Sequence, residues 1–269
     1  KTDISEKVKY LVGPTAMTTS LNMNGFSITL LKLDEEIENA LLEKTETPEW
    51  RIRAYAKPSS IKSPDLPKTM QFEPSENKKH QKVLESIADY LIEIEKEMND
   101  LDEKVGDGDA GSTFAAAGKK FKKISSELPY ASLPELFTTV GRVLARETGG
   151  SSGVLLSMLF TKAGSSLEDD DNIGKALLNG LEKMKSYGGA EKGDRTMIDA
   201  MQPAFEALSD KKSTKEAAEA ARKGADETAN ITNTSAGRSS YLSESSLEGI
   251  PDPGAEMVAR VFEKLVDIV

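Results

Sequence analysis

Three aspartates, Asp102, Asp107 and Asp109, crowd a glycine-rich stretch that reads Leu101-Asp102-Glu103-Lys104-Val105-Gly106-Asp107-Gly108-Asp109-Ala110-Gly111-Ser112-Thr113. Carboxylates this close repel one another unless a cation sits among them. Hard oxygen ligands in such a group suit Mg²⁺, which proteins hold through one or two carboxylates together with phosphate oxygens. An Asp-Gly-Asp turn also occurs as a plain solvated turn, so the companion loops decide between the two. Gly149-Gly150-Ser151-Ser152-Gly153 places closely approaching amides and hydroxyls ahead of a helical stripe, which is how phosphate is held without a lysine. Arg238, after Gly237, is a cation that meets phosphate, a base or only solvent. Gly106 to Gly111 fits G-x-G-x-x-G formally, but a long helix precedes it where a dinucleotide fingerprint needs a strand. No G-x-x-x-x-G-K-S/T occurs in the chain, which excludes a P-loop enzyme.

The composition narrows the classes further. The chain has 269 residues, no cysteine and one histidine. Thiol catalysis, disulfide scaffolds and cysteine-ligated metals are excluded, and a Ser–His–Asp triad is disfavoured. With 35 basic against 45 acidic residues and a formal charge of −10, the protein does not bind nucleic acid by neutralising phosphates. No run of about 18 apolar residues marks a membrane span. The start, Lys1-Thr2-Asp3-Ile4, shows neither an initiator Met nor a signal-peptide pattern. It reads as a fragment or processed chain, expected in the cytoplasm.

The elements that must carry these loops fall into three parts. Over residues 1–50, Phe26 to Leu33 is β-branched and apolar after Asn24-Gly25 and predicts a strand. Asp34 then caps a short helix to about Lys44, with Ile37, Ala40 and Leu41 on one face. From 51 to about 75, Pro58, Pro64, Pro67 and Pro74 among serines predict an extended linker. From 76 to 269 the pattern is helical throughout. Val83, Ile87, Tyr90, Leu91, Ile94, Met98, Leu101 and Val105 keep a spacing of three and four and predict one helix of several turns. Further stripes centre on Phe114–Ile124, Leu136–Leu144, Val154–Leu159, Ile173–Met184, Met197–Leu208, the Ala-rich 214–228 and Met257–Leu265. About eight helices without a convincing strand predict a mainly α chain, an all-α bundle. If the helices alternate in direction, the glycine-rich gaps gather at one end. His80, among Lys78, Lys79 and Gln81, reads as a surface residue.

Taken together and in order, the loops resemble the nucleotide-binding (L) domain of dihydroxyacetone kinases. The matching stretches are L-D-x-x-x-G-D-G-D-x-G-S-T at 101–113, G-G-S-S-G at 149–153, G-D-R-T-M-x-D-A at 193–200, G-R-S-S-Y at 237–241 and P-D-P-G at 251–254. They span about 76–269. Residues 12–31, Val12-Gly13-Pro14 through Leu30-Leu31, are similar to the tail of the substrate-binding (K) domain in single-chain, ATP-dependent members of that family.

The resemblance implies an antiparallel eight-helix barrel, preceded by a short α/β stub and an extended linker, that binds Mg-ATP at one end. It implies that Asp102, Asp107 and Asp109 hold two Mg²⁺ ions. Gly111, Ser112, Thr113, Ser151 and Ser152 would contact phosphates, and Gly188 and Met197 would border the adenine. Arg238, Asp252, Pro253 and Gly254 would close the pocket. The implied reaction moves the γ-phosphate of ATP to a hydroxyl of dihydroxyacetone or glyceraldehyde held by a K domain that this chain lacks. The intact enzyme is expected to be a homodimer of glycerol metabolism. Ala110 departs from the family, where Cys or His is usual. Two rival readings are a lyase that forms cyclic FMN from FAD in the same pocket, and a non-catalytic nucleotide-binding scaffold.

Overall fold

The structure, a computed structural model, describes residues 8–13, 29–44, 52–54, 72–148, 150–232, 234 and 243–269. The chain divides into two compact units, residues 1–69 and 70–269.

In the first unit, β1 (Tyr10–Val12) pairs antiparallel with β2 (Ile52–Ala54), Tyr10 opposite Ala54. Helix α1 (Glu35–Leu42) starts where Asp34 caps it, the carboxylate accepting the Ile37 N–H at 2.8 Å. Tyr10 donates its hydroxyl to Glu38 at 2.7 Å, and Lys9 pairs with the same carboxylate. The strand expected over 26–33 is not there in its described part. Residues 29–33 are irregular, with Leu30 and Leu31 exposed, and 26–28 lie outside the described residues. Strand propensity forms a strand only where a partner edge is available, and the pairing goes to 10–12 and 52–54 instead. β2 therefore sits inside the stretch expected to be linker.

The second unit is helical: α2 (Lys78–Glu93), α3 (Glu95–Asp102), α4 (Ala110–Lys123), α5 (Leu133–Glu147), α6 (Gly150–Ser166), α7 (Ile173–Gly188), α8 (Ile198–Ser209), α9 (Thr214–Glu227), α10 (Glu244–Leu247) and α11 (Pro253–Ile268). Polar caps start five of them. Asn77, Ser132, Asn172 and Asp252 accept first-turn amides, and Ser213 with Glu216 forms a reciprocal capping box, each cap worth about 1 kcal/mol.

The single helix expected over 83–105 is broken at Ile94, whose φ of −87° and ψ of 6° end α2 and start α3. Ile94 still donates to Tyr90 and accepts from Met98, both at 3.0 Å, so the apolar stripe runs on through the break. Val105 lies beyond α3 in a turn, yet it is buried.

Counting α2 and α3 as one rod, eight long helices form a ring among the described residues. α2 packs on α4, and each of α4 to α9 packs on its successor, α11 following α9. α11 then packs back on α2. Short connections from α3 through α9 make those successive helices antiparallel. The interior is filled by large side chains such as Leu159, Leu181, Phe205 and Phe262 alternating with alanines at 117, 163, 200, 204, 221 and 259, so the helices lie close. The α9–α11–α3 seam adds a charged net. Glu256 is buried between Arg222 (2.5 Å) and Arg260 (2.6 Å), which reach on to Glu263 and Glu97. Burial opposes the Glu256 charge, but the two guanidinium groups outweigh it and hold the carboxyl below the usual carboxylate range.

At the end of the ring where α2 begins, His80 is half-buried rather than a surface residue. Its Nδ1 lies 2.7 Å from the Tyr130 carbonyl. The first residues of α4, α6, α8 and α11 come together at the other end.

Candidate functional site

At that other end the Asp-Gly-Asp turn is made possible by Gly108, whose φ of +78° is a left-handed conformation that costs a residue with a Cβ. The turn brings oxygens of Asp102, Asp107 and Asp109 within 4.8 Å of one another. Asp102 is buried at the end of α3, and its Oδ2 accepts the Asp109 and Ala110 amides at 3.0 and 3.2 Å. Its Oδ1 lies over Gly106, where an added Cβ would stand 2.3 Å away. The other two carboxylates are exposed on the turn.

Asp102 and Asp109 border a cavity of about 660 Å³, whose lining does not include Asp107. Asp102, Asp109, Thr113, Ser151 and Ser152 are among its polar lining, and α6 begins there. Leu155, Met158, Met184, Ala190 and Met197 are among its apolar lining. A ligand with an anionic end and a flat apolar end suits such walls. Gly188, Asp252, Pro253 and Gly254 also line the cavity, as does Ala110.

Two residues expected at phosphate face elsewhere. A Cβ on Gly111 would lie 2.0 Å from the Glu95 carbonyl oxygen, so this glycine serves the close crossing of α3 and α4. Ser112 turns to α3 as well: its amide donates to Asn99 Oδ1 at 3.0 Å and its hydroxyl to Glu95 at 3.1 Å. Ser112→Ala is therefore expected to cost about 1 kcal/mol of stability and to leave nucleotide affinity within about twofold. Thermal unfolding together with an ATP titration checks both. Arg238, the Gly-Arg-Ser-Ser-Tyr stretch and Gly149 lie outside the described residues.

Thr148, Tyr187, Arg195 and Thr196, which stand in the glycine-rich loops without a role assigned from the sequence, also line the cavity. Asp199, just behind them, brackets the 193–196 turn. Its two carboxylate oxygens accept Gly193 N–H at 2.6 Å and Thr196 N–H at 2.8 Å. The spacing in Gly193-Asp194-Arg195-Thr196-Met197-Ile198-Asp199 was the signal, since a carboxylate at the start of a helix can cap the turn before it.

Asp252 caps α11 through Ala255 N–H at 2.8 Å. Burial pushes its carboxyl up to about 7, against the pull of the Ala255 and Gly254 amides and of Arg195. A carboxyl raised in the folded state above its unfolded value of 3.8 keeps its proton longer when folded. Stability from this group thus falls as pH rises through that window. Asp252→Asn keeps a capping oxygen and cannot ionise. It is expected to gain on the wild type between pH 5 and 8, by on the order of 2 kcal/mol after allowing for solvent in the open cavity. Denaturation at the two pH values measures the difference, and a constant gap would contradict it.

The ring of eight helices thus carries an aspartate cluster and a cavity at one end. The DAK2 domain profile matches residues 104–267, and the chain belongs to that family. It is 42% identical over 268 residues to the dihydroxyacetone kinase of Citrobacter freundii, covering 98% of this chain and 49% of that protein. It is 31% identical to the Triokinase/FMN cyclase of Mus musculus, over 93% of this chain and 46% of the relative. The crystal structure of the C. freundii kinase in complex with AMP-PNP and Mg²⁺ superposes with a TM-score of 0.68 at 39% identity, covering 99% of this chain and 48% of that one. The chain spans about half the length of the curated relatives it matches. Among the described residues no helix is long and apolar enough to cross a membrane.

Proposed function

We propose that this chain is the ATP-binding, phosphoryl-donating part of a dihydroxyacetone or glyceraldehyde kinase. The observation that carries the reading is a three-aspartate cluster of which Asp102 and Asp109 line one cavity together with the start of α6 and apolar side chains, in a chain 39% identical to a kinase solved with AMP-PNP and Mg²⁺. The donor set fits the metal, since carboxylate oxygens this close favour a hard divalent cation. Asp102, Asp107 and Asp109 would hold two Mg²⁺ ions, which supply charge neutralisation on the phosphates. Thr113, Ser151 and Ser152, with the first amides of α6, would orient the phosphate chain. Gly188, Met197 and the Asp252–Gly254 wall would receive the base and exclude water, with Arg238 closing the pocket. Such a division suits phosphoryl transfer, in which positioning and electrostatics do most of the work.

Residues 1–50 are proposed as the end of a K domain, 51–75 as a linker and 76–269 as the L domain. The alignment along 98% of the chain to half of a kinase supports this order. The cytoplasmic, homodimeric enzyme of glycerol metabolism rests on the family resemblance.

The test is ADP formation from Mg-ATP and dihydroxyacetone, with and without the separately supplied K domain of the C. freundii relative. Triose-dependent turnover is expected only when the K domain is present. Equal turnover by the chain alone would contradict the division of labour. The relatives called Triokinase/FMN cyclase support a second reading, lyase chemistry on FAD in the same cavity. Release of cyclic FMN from FAD with Mn²⁺ would establish it.

A further inference from the structure

Arg195 is the largest fully buried side chain among the described residues, with 1% of its surface exposed. It is also held at a φ of +56°, a left-handed backbone uncommon for a residue that carries a Cβ. A buried cation on a strained turn is expensive twice over, and neither the metal cluster nor the phosphate-facing loops account for it.

Its hydrogen bonds do. Nε donates to the Thr228 carbonyl at 3.3 Å, and Nη2 donates to the Ile250 carbonyl at 2.6 Å, with a longer reach of 3.5 Å to Leu247. Thr228 follows the end of α9 and Leu247 ends α10, so the guanidinium sits where helix-end carbonyls concentrate negative potential. Thr228 carries the link onward, since its hydroxyl accepts the Asp252 amide at 2.8 Å and donates to Ala225 at 2.5 Å. Ile250 and Asp252, on either side of Pro251, are thus pinned to one anchor. Next in the chain come Pro253 and Gly254 on the cavity wall. There a Cβ on Gly254 would stand 3.4 Å from Met197 Cβ. On its own side, Arg195 is fixed by the Asp199 carboxylate, which brackets the turn that carries it.

We propose that Arg195 is a positioning residue for the nucleotide: through Thr228 and Ile250 it sets where the Asp252–Gly254 wall stands against Met197, and so the fit of the base. This rests on the nucleotide-binding reading above. The groups facing Asp252 are Arg195 from the turn and Asp199 from α8, with Glu256 one turn along α11 already committed to Arg222 and Arg260. Of these only Arg195 is a cation beside it, so the same residue also tunes the pH at which the wall changes charge.

Arg195→Lys and Thr228→Val test this in the full chain, by calorimetric titration with Mg-ATP from pH 5.5 to 8.5 and with Mn²⁺ alone. Arg195→Lys is expected to raise the Mg-ATP Kd at least tenfold and to move the pH midpoint of binding, with Mn²⁺ affinity within twofold. Thr228→Val, which keeps the carbonyl but loses the hydroxyl, is expected to raise Kd three- to tenfold. A folded Arg195→Lys with wild-type Kd and midpoint overturns the inference, as does equal loss of Mn²⁺ and nucleotide. Should Arg195→Lys fail to fold, unchanged Kd in folded Thr228→Val overturns it. Wild-type binding with unaltered variants removes this inference alone. Absence of wild-type binding removes the nucleotide reading and this inference with it.

Discussion

Asp107→Asn is expected to lower the affinity for Mg-ATP by about a hundredfold or more, roughly 3 kcal/mol, while leaving the fold intact. Asn keeps the shape and one neutral oxygen, so the change isolates the charge. Asp107 is exposed on the turn, and substitutions at such positions typically move stability by no more than about 0.5 kcal/mol. Its value is in the cluster, where its oxygen lies within 4.8 Å of those of Asp102 and Asp109. Removing one of three negative charges weakens a divalent cation's hold far more than it disturbs the chain. Asp102→Ala makes the contrast, because Asp102 is buried and accepts the Asp109 and Ala110 amides. That variant is expected to lose metal-dependent binding and also about 2 kcal/mol of stability. Titration and urea unfolding of the pair measure the two effects; a stability loss in Asp107→Asn equal to that of Asp102→Ala would contradict the assignment.

Gly224→Ala is expected to cost about 3 kcal/mol of stability. A Cβ there would stand 2.0 Å from the Asp199 carbonyl oxygen and 2.9 Å from its carbon. Pro203, inside α8, has no N–H to offer that carbonyl, and α9 closes on it instead. In an exposed helix the substitution would be favourable by about 1 kcal/mol. Here the obstacle is backbone rather than a flexible side-chain end, and overpacking against backbone costs about 1–3 kcal/mol or more, so the clash wins. Asp199 also brackets the 193–196 turn, so nucleotide affinity is expected to fall with stability. Unfolding by urea measures the first, and wild-type stability would show that the α8–α9 crossing is looser than described.

What the sequence discloses and conceals follows from how local each cause is. The helices were legible because apolar residues recur every three or four positions and the caps are neighbours in the chain. The break at Ile94 was not, since Leu91, Ile94 and Met98 keep the same stripe on both sides of it. β1 and β2 are three residues each and exist only through one another, whereas residues 29–33 had the composition of a strand without a partner. The aspartate cluster was legible for the same reason as the helices, its members standing a few residues apart around Gly106 and Gly108. The resemblance implies phosphate contacts for Gly111 and Ser112, but their surroundings come from Glu95 and Asn99 on α3, which only the α3–α4 crossing supplies. Arg195 is the clearest case. A cation in a glycine-rich loop reads as exposed, and its burial depends on carbonyls from residues 228 and 250.

The most direct test of the central claim is a calorimetric titration of the chain with ATP, in Mg²⁺ and again in EDTA. The account predicts saturable one-to-one binding in Mg²⁺ that is lost in EDTA. Binding of equal strength in both, or in neither, would contradict it.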